Sequence, residues 1–360
     1  MGLQVRALTV IPGRQGSITL EEQPEPAALG GHALIEAVAL GVCGTDREII
    51  GGDYGWAPPG AERLVIGHES LGRVLEAPAD SSLQRGDLVV GIVRRPDPVP
   101  CPACAIGEWD MCRNGRYTER GIKARDGYGA ERYLLEPDFA IKVDPALGLT
   151  AVLVEPTSVV AKAWDHIERI GRRARSWMPQ RVLVTGAGPV GLLAAMIARQ
   201  RDLETHVFDR ASDGPKPGLV ADLGATYHTG QLEMLKDLDP DIIVECTGAD
   251  PVVLQIMGMA GGDGIVCLAG VSSGGRALPF DVGGFNRRAV LGNDVVFGTV
   301  NANLAHYHAA ARALGAADKG WLARLISRRV PLERWAEAFD SRADDVKVVI
   351  DFGTLKSLQA

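Results

Sequence analysis

The side chains with most chemistry to offer lie in three short stretches, GVCGTD (41–46), GHES (67–70) and LVEPTS (153–158). Cys43 ends an apolar run, and His68 follows with Glu69 beside it. A thiolate and an imidazole are the donor pair zinc prefers, and a carboxylate or a water completes its tetrahedron, which makes Glu155 a further candidate donor. Each residue taken singly has a plainer reading: a lone cysteine is most often a small buried hydrophobe, and a lone histidine a hydrogen-bonded core residue. His68 and Glu69, however, interrupt LVIGHESLGRV, whose Leu64, Val65, Ile66, Leu71 and Val74 read as a buried strand. Apolar surroundings do not accept such groups without a partner. A bound cation is one such partner, and as a Lewis acid it brings a bound water from a pKa of 15.7 to about 7 and polarises a bound hydroxyl in the same way. That is the help an alcohol, a very weak acid, needs to lose its proton.

A second signal is GAGPVG, in which Gly186, Gly188 and Gly191 enclose Ala187, Pro189 and Val190. It directly follows the strand-like RVLVT and opens the helical LLAAMIARQ, and that context turns a weak motif into a strong one. The first glycine makes the turn, the second lets a pyrophosphate approach the backbone, and the third allows close helix–strand packing. The helix N-terminus then offers amide donors to the phosphates. Asp209 closes THVFD at the distance expected of the acid that accepts hydrogen bonds from a ribose diol and repels a 2′-phosphate. NAD is therefore favoured, with NADP left open because the Arg210 guanidinium next door could take a 2′-phosphate.

A third cluster is Cys101, Cys104 and Cys112, inside a long polar excursion between Arg94 and Asp126. CxxC spacing lets two thiolates reach one ion, and a lobe without its own core gains from such a staple. The stretch upstream of Cys101 offers Asp97 as a fourth donor. A structural zinc on three thiolates and Asp97 is one reading, and an empty or reduced lobe the other. Cys246 and Cys267 lie in apolar strands and read as core residues. His306 and His308, at i and i+2 of a helix, do not face one another and read as surface or cleft residues.

The elements that must position these groups form two kinds of rhythm. Residues 1–158 alternate short apolar runs with Gly and Pro turns, the mark of a β-rich module. From 159 strand and helix alternate through RVLVT, THVFD, DIIVECTG and GIVCLAG, the rhythm of a parallel sheet with crossover helices. Helical HYHAAARAL and WLARLISR and a closing strand, DVKVVIDF, follow 301. The expectation is an α/β protein of two domains, as a chain of 360 residues also suggests, with a β-rich module first and a dinucleotide-binding domain from 159.

With 46% hydrophobic and 23% charged residues and a net charge of −7, the chain is expected to be a globular protein with no electrostatic footprint for nucleic acid or anionic lipid. No run approaches the roughly 20 apolar residues of a membrane span, and the head MGLQVRALTV lacks signal-peptide features. A cytoplasmic location with reduced cysteines is expected.

The set CGTD, GHE and VEP, followed by the glycine fingerprint, resembles the zinc-dependent medium-chain alcohol dehydrogenase family over nearly the whole chain. YGWAPPGAERLVIGHESLGRV, CPACAIGEWDMCRNGRYTERGI and VNANLAHYHAA resemble its glucose dehydrogenase branch. The resemblance implies a GroES-like β-rich catalytic domain made of 1–158 with 302–360, and a Rossmann domain, 159–301, with a doubly wound parallel sheet. It implies that Cys43, His68 and Glu155 hold a catalytic zinc, that Glu69 approaches the metal, and that Thr45 relays the proton, although Thr45 could simply bond its own turn. It suggests Glu119 and Asn301 as partners of sugar hydroxyls. Two positions that are polar sugar contacts in some relatives fall on Val159 and Leu291. The family's structural lobe carries four cysteines; here three are present. The activity so implied is oxidation of an aldose, first of all glucose, at C1 to the lactone with NAD(P). A polyol or other secondary-alcohol dehydrogenase is the alternative, and a non-catalytic nucleotide sensor a third reading. Relatives in this family are commonly dimers or tetramers, so a homo-oligomer is expected.

Overall fold

The computed structural model describes residues 3–27, 30–272, 274 and 277–354. The chain divides into two units, Met1–Ser158 with Asn301–Ala360, and Val159–Val300. Asn301 thus belongs with the first unit, one residue from the boundary read in the sequence. Residues 355–360, counted with the catalytic domain there, lie outside the described residues.

In the first unit the central sheet runs in the order Ala140–Lys142, Leu88–Gly91, Glu69–Glu76, Ala33–Val42, Lys347–Asp351, Ile326–Pro331, with Arg132–Leu135 also pairing with Ala33–Val42. The long strand Ala33–Val42 is buried along almost its whole length, and its residues Ile35, Leu40 and Val42 join Leu8, Ile66, Val74, Val89 and Ile350 in one apolar core. Two strands flank its C-terminal end in antiparallel register: Gly41 faces Glu69 on one side and Val349 on the other. The strand Lys347–Asp351, from near the other end of the chain, therefore lies against the stretch that leads into Cys43.

LVIGHESLGRV is not one strand. Leu64–Val65 pairs with Gln4–Val10 in a three-stranded sheet, while Glu69–Glu76 enters the central sheet. The change of sheet occurs at Gly67, whose φ of +93° is a conformation that favours glycine. His68 is delivered by that turn. The polar excursion is ordered too: Arg94–Arg95, Thr118–Arg120 and Ala124–Arg125 form a small sheet, and Pro102–Ala105 a single helical turn. Two of its arginines are held by carboxylates, Arg94 by Glu119 at 2.9 Å and Arg95 by Glu136 at 2.7 Å.

In the second unit six parallel strands run in the order Thr226–His228, Glu204–Phe208, Arg181–Thr185, Ile242–Glu245, Ile265–Leu268, Val295–Gly298. In chain order this is 3-2-1-4-5-6, the doubly wound arrangement whose switch point, between the first and fourth strands, is where dinucleotides bind. Buried Val, Leu and Ile fill the strands because helices cover a parallel sheet on both faces. One stretch departs from the expectation about apolar runs. Pro145–Gly171 contains an 18-residue window long and apolar enough to cross a membrane, with a mean hydropathy of 1.3, but 72% of that window is buried inside the protein.

Candidate active site

The turn at Gly67 and the sheet register bring Cys43, His68 and Glu69 together. Their donor atoms all lie within 4.8 Å of one another, with His68 and Glu69 buried and Cys43 half-buried. Thiolate, imidazole and carboxylate are a zinc donor set, so the residues fit the metal that the sequence implies. Cys43 caps the helix Gly44–Gly51, and its own amide donates to Asp46 Oδ2 at 2.9 Å. The other Asp46 oxygen faces His68 Nδ1 at 3.4 Å, where neither atom completes a hydrogen bond. Asp46 thus stands on the Nδ1 side of the ring, the position from which a carboxylate commonly orients a metal-binding histidine. Burial works against charge on His68, yet the Asp46 carboxylate and the Cys43 sulfur hold its pKa well above the ordinary value.

Glu69 has a partner that the local sequence does not announce. Lys347 Nζ donates to both of its carboxylate oxygens, at 2.6 and 2.5 Å, and to the Val42 carbonyl at 3.1 Å. Gly41 makes this possible, since a Cβ there would overlap the Glu69 carboxylate where it crosses the strand. Both charged groups are almost wholly buried, and without the pair either would carry a large desolvation cost.

Glu155 enters the same pocket from the first turn of the helix Val154–Gly171 but is not one of the mutually close donors. Burial lifts its carboxyl to about 7; His68 and Lys347 favour the charged form, and Glu69 and Asp46 oppose it. Two buried carboxylates repel, and Lys347 draws Glu69 to one side. All four donors read in the sequence thus share one neighbourhood, with Glu69 the carboxylate that lies within 4.8 Å of both the Cys43 and His68 donor atoms. Thr45 Oγ1 lies 4.0 Å from Cys43 Sγ and is half-buried.

Glu119 and Asn301 also meet, although 182 residues separate them: Asn301 Nδ2 donates to Glu119 Oε1 at 2.8 Å. The same oxygen accepts from Arg94 Nε and Nη2, at 3.1 and 2.9 Å. Among the described residues no hydrogen bond reaches Oε2, which leaves one carboxylate oxygen able to accept from a ligand hydroxyl. Val159 is half-buried, whereas Leu291 is exposed on the helix Val282–Gly292.

Cys101, Cys104 and Cys112 form the second trio, their sulfurs within 4.8 Å of one another. The amides of Arg113 and Cys104 draw the Cys101 thiol down to about 6, while burial pushes Cys104 up to about 11. Asp97 is not the fourth donor. Its carboxylate is taken by the Val99 amide and Asn114 Nδ2, both at 2.8 Å, and by Arg116 Nε at 3.2 Å. Asp97 serves the trio through its backbone amide, which donates to Cys104. Of the remaining candidates, Cys267 is buried and Cys246 half-buried. His308 is exposed, but His306 is a buried capping residue, not a surface one: its Nδ1 accepts from the Asn303 amide at 3.2 Å.

In the second unit the glycine turn has the geometry its spacing predicts. Gly186 adopts a φ of +96°, a Cβ on Gly191 would overlap the Gly186 carbonyl, and one on Gly188 would meet only open space. Pro189 and Val190 open the helix Pro189–Arg199, with Gly188 as its N-cap. Asp209 follows the second strand; its Oδ2 accepts from the Ala187 amide at 2.7 Å and its Oδ1 from the Ala211 amide at 3.0 Å. Arg210 is exposed. Sequence reasoning missed Asp46, Lys347 and Lys216, which bonds Asp209; only Asp46, next to CGT, left a local signal.

Residues 30–145 match the alcohol dehydrogenase GroES-like domain, and residues 148–352 match the glucose dehydrogenase C-terminus. A glucose 1-dehydrogenase of Methanocella arvoryzae is 38% identical, over 97% of this chain and 100% of that protein. That of Thermoproteus tenax is 39% identical, over 97% and 100%. Haloferax mediterranei glucose dehydrogenase, solved in complex with NADP, Zn and gluconolactone, superposes with a TM-score of 0.90 at 31% identity, covering 97% of this chain and 99% of that one.

Proposed function

This chain belongs to the zinc-dependent medium-chain alcohol dehydrogenase family, in its glucose dehydrogenase branch, and from that membership we propose how its residues divide the work. It is a zinc-dependent NAD(P) dehydrogenase that oxidises an aldose, D-glucose, at C1 to the aldonolactone, with hydride passing to the nicotinamide. The observation that carries the assignment of roles is the convergence of the Cys43, His68 and Glu69 donors in a buried pocket that Glu155 also enters.

Zinc held by Cys43, His68 and the two glutamates would supply Lewis acidity, making the C1 hydroxyl a far stronger acid. Asp46 keeps the His68 ring turned, and Lys347 balances the charge of Glu69. Thr45, half-buried beside Cys43, takes the released proton toward solvent. Glu119 Oε2 accepts a sugar hydroxyl, with Arg94 and Asn301 fixing the carboxylate from its other oxygen. Gly186, Gly188 and Gly191 seat the pyrophosphate, and Asp209 takes the adenosine ribose. Cys101, Cys104 and Cys112 hold a structural zinc whose fourth donor is not Asp97. A cytoplasmic enzyme fits six cysteines that form no disulfide. A homo-oligomer, dimer or tetramer, fits Val290 and Leu291, exposed on the helix Val282–Gly292. No nucleic acid or membrane partner is proposed.

An aldose and polyol panel with both cofactors, run beside a metal analysis giving zinc per chain, tests this function. Turnover of glucose by zinc-loaded protein is expected. Turnover of sorbitol with none of any aldose would move the assignment to a polyol dehydrogenase. NAD binding without zinc and without turnover of any alcohol would leave a nucleotide sensor.

A further inference from the structure

The acid that reads the adenosine ribose is not a free carboxylate. Lys216, in the first turn of the helix Pro215–Asp222, places Nζ 3.2 Å from Asp209 Oδ1 and 3.2 Å from Oδ2. The Ala187 and Ala211 amides add one bond to each oxygen. The Asp209 side chain is 9% exposed and that of Lys216 18%, so this is a built-in pair and not a chance encounter of surface chains. Burial pushes the Asp209 carboxyl up, but the two amides and the ammonium outweigh it and hold the pKa below the ordinary value.

The consequence concerns which cofactor the site admits. A carboxylate at this position excludes NADP because it repels the 2′-phosphate. Here that charge is already neutralised by an ammonium lying against both oxygens, with the exposed Arg210 guanidinium adjacent in sequence. The flexible four-carbon stem of lysine lets the ammonium move a short distance without backbone change. We propose that Lys216 sets the cofactor range of this dehydrogenase: it stays on Asp209 when a ribose diol is bound, and turns to the 2′-phosphate when NADP is bound. The site then takes both cofactors, and the selectivity read from Asp209 alone is relaxed. This rests on the dehydrogenase assignment above, through the placement of the adenosine ribose at Asp209.

The test uses the full chain and two adenosine fragments, adenosine 5′-monophosphate and adenosine 2′,5′-bisphosphate, with dissociation constants measured by calorimetry. For Lys216→Met the bisphosphate is expected to bind about tenfold more weakly, the size of one lost charge-assisted contact. The monophosphate should change by less than about threefold, because Asp209 keeps its amide bonds. Lys216→Arg retains the charge and should restore bisphosphate binding, which separates the effect from a folding defect. The ratio of kcat/KM for NADP to that for NAD should fall in parallel in the Met variant. Equal weakening of both fragments, or an unchanged bisphosphate constant, would overturn the inference while leaving the dehydrogenase assignment standing. If the wild-type chain binds neither fragment, the cofactor assignment fails and the inference with it.

Discussion

Replacing Lys347 by methionine probes the centre of the site without touching a donor. Lys347 and Glu69 are 2.5 Å apart with side chains only 2% and 1% exposed. At an effective dielectric near 20 their attraction is about 7 kcal/mol. Removing each ion from water costs several kcal/mol, so the intact pair contributes little net stability, but deleting one partner strands the other. Metal-free Lys347→Met is therefore expected to lose about 3–5 kcal/mol, lowering the melting temperature by about 10 °C for a unit of this size. The double variant Glu69→Gln/Lys347→Met should recover most of that loss, because no charge is then left unpaired. Zinc should rescue the single variant in part, as the ion replaces the missing ammonium beside Glu69. Thermal and urea unfolding of chelator-treated protein, followed by tryptophan fluorescence, measures each quantity. A single-variant loss below about 1 kcal/mol, the range of an exposed pair, or a double variant no better than the single one, would refute the reasoning.

Three further outcomes are expected. Cys43→Ala should abolish turnover and leave NADH binding by fluorescence nearly intact, since Cys43 and the glycine turn belong to different units; equal loss of both would contradict this layout. Asp46→Asn should weaken zinc by about 10–100-fold in chelator competition, the usual effect of removing the partner that orients a metal-binding histidine; unchanged affinity would mean the 3.4 Å approach to His68 is incidental. Burial raises the Glu136 carboxyl, but Arg95, Arg120 and Arg125 outweigh it and hold its pKa well below the ordinary 4.5. Its contribution to stability is therefore present above that value and is lost as pH falls. Melting temperatures of Glu136→Gln should be lower at neutral pH and flatter across the acid range than those of the wild type.

Much of this molecule could be read along the chain. The fingerprint at 186–191 needs only a strand before it, a helix after it and glycine where a Cβ would collide, and all of these are local. The types of the metal donors were legible too, because thiol, imidazole and carboxylate announce their chemistry wherever they stand. The strand period of two and the helical period of 3.6 marked the change from β-rich module to alternating sheet and helix. Local patterns could not show that LVIGHE changes sheets at Gly67, since a run of apolar residues looks the same on either side of a turn.

What only the tertiary structure decided is who is paired with whom. Lys347 lies 278 residues beyond Glu69, and the two meet because strands from opposite ends of the chain flank Ala33–Val42 in a particular register, across a glycine that leaves room for the carboxylate. Asn301, from a stretch outside any strand, reaches Glu119 across 182 residues. Asp97 had the right chemistry for a fourth metal donor, yet its oxygens are taken by Val99, Asn114 and Arg116. A side chain's identity states what it can bind; competition among neighbours brought close by folding settles what it does bind, and that competition has no signature in sequence spacing.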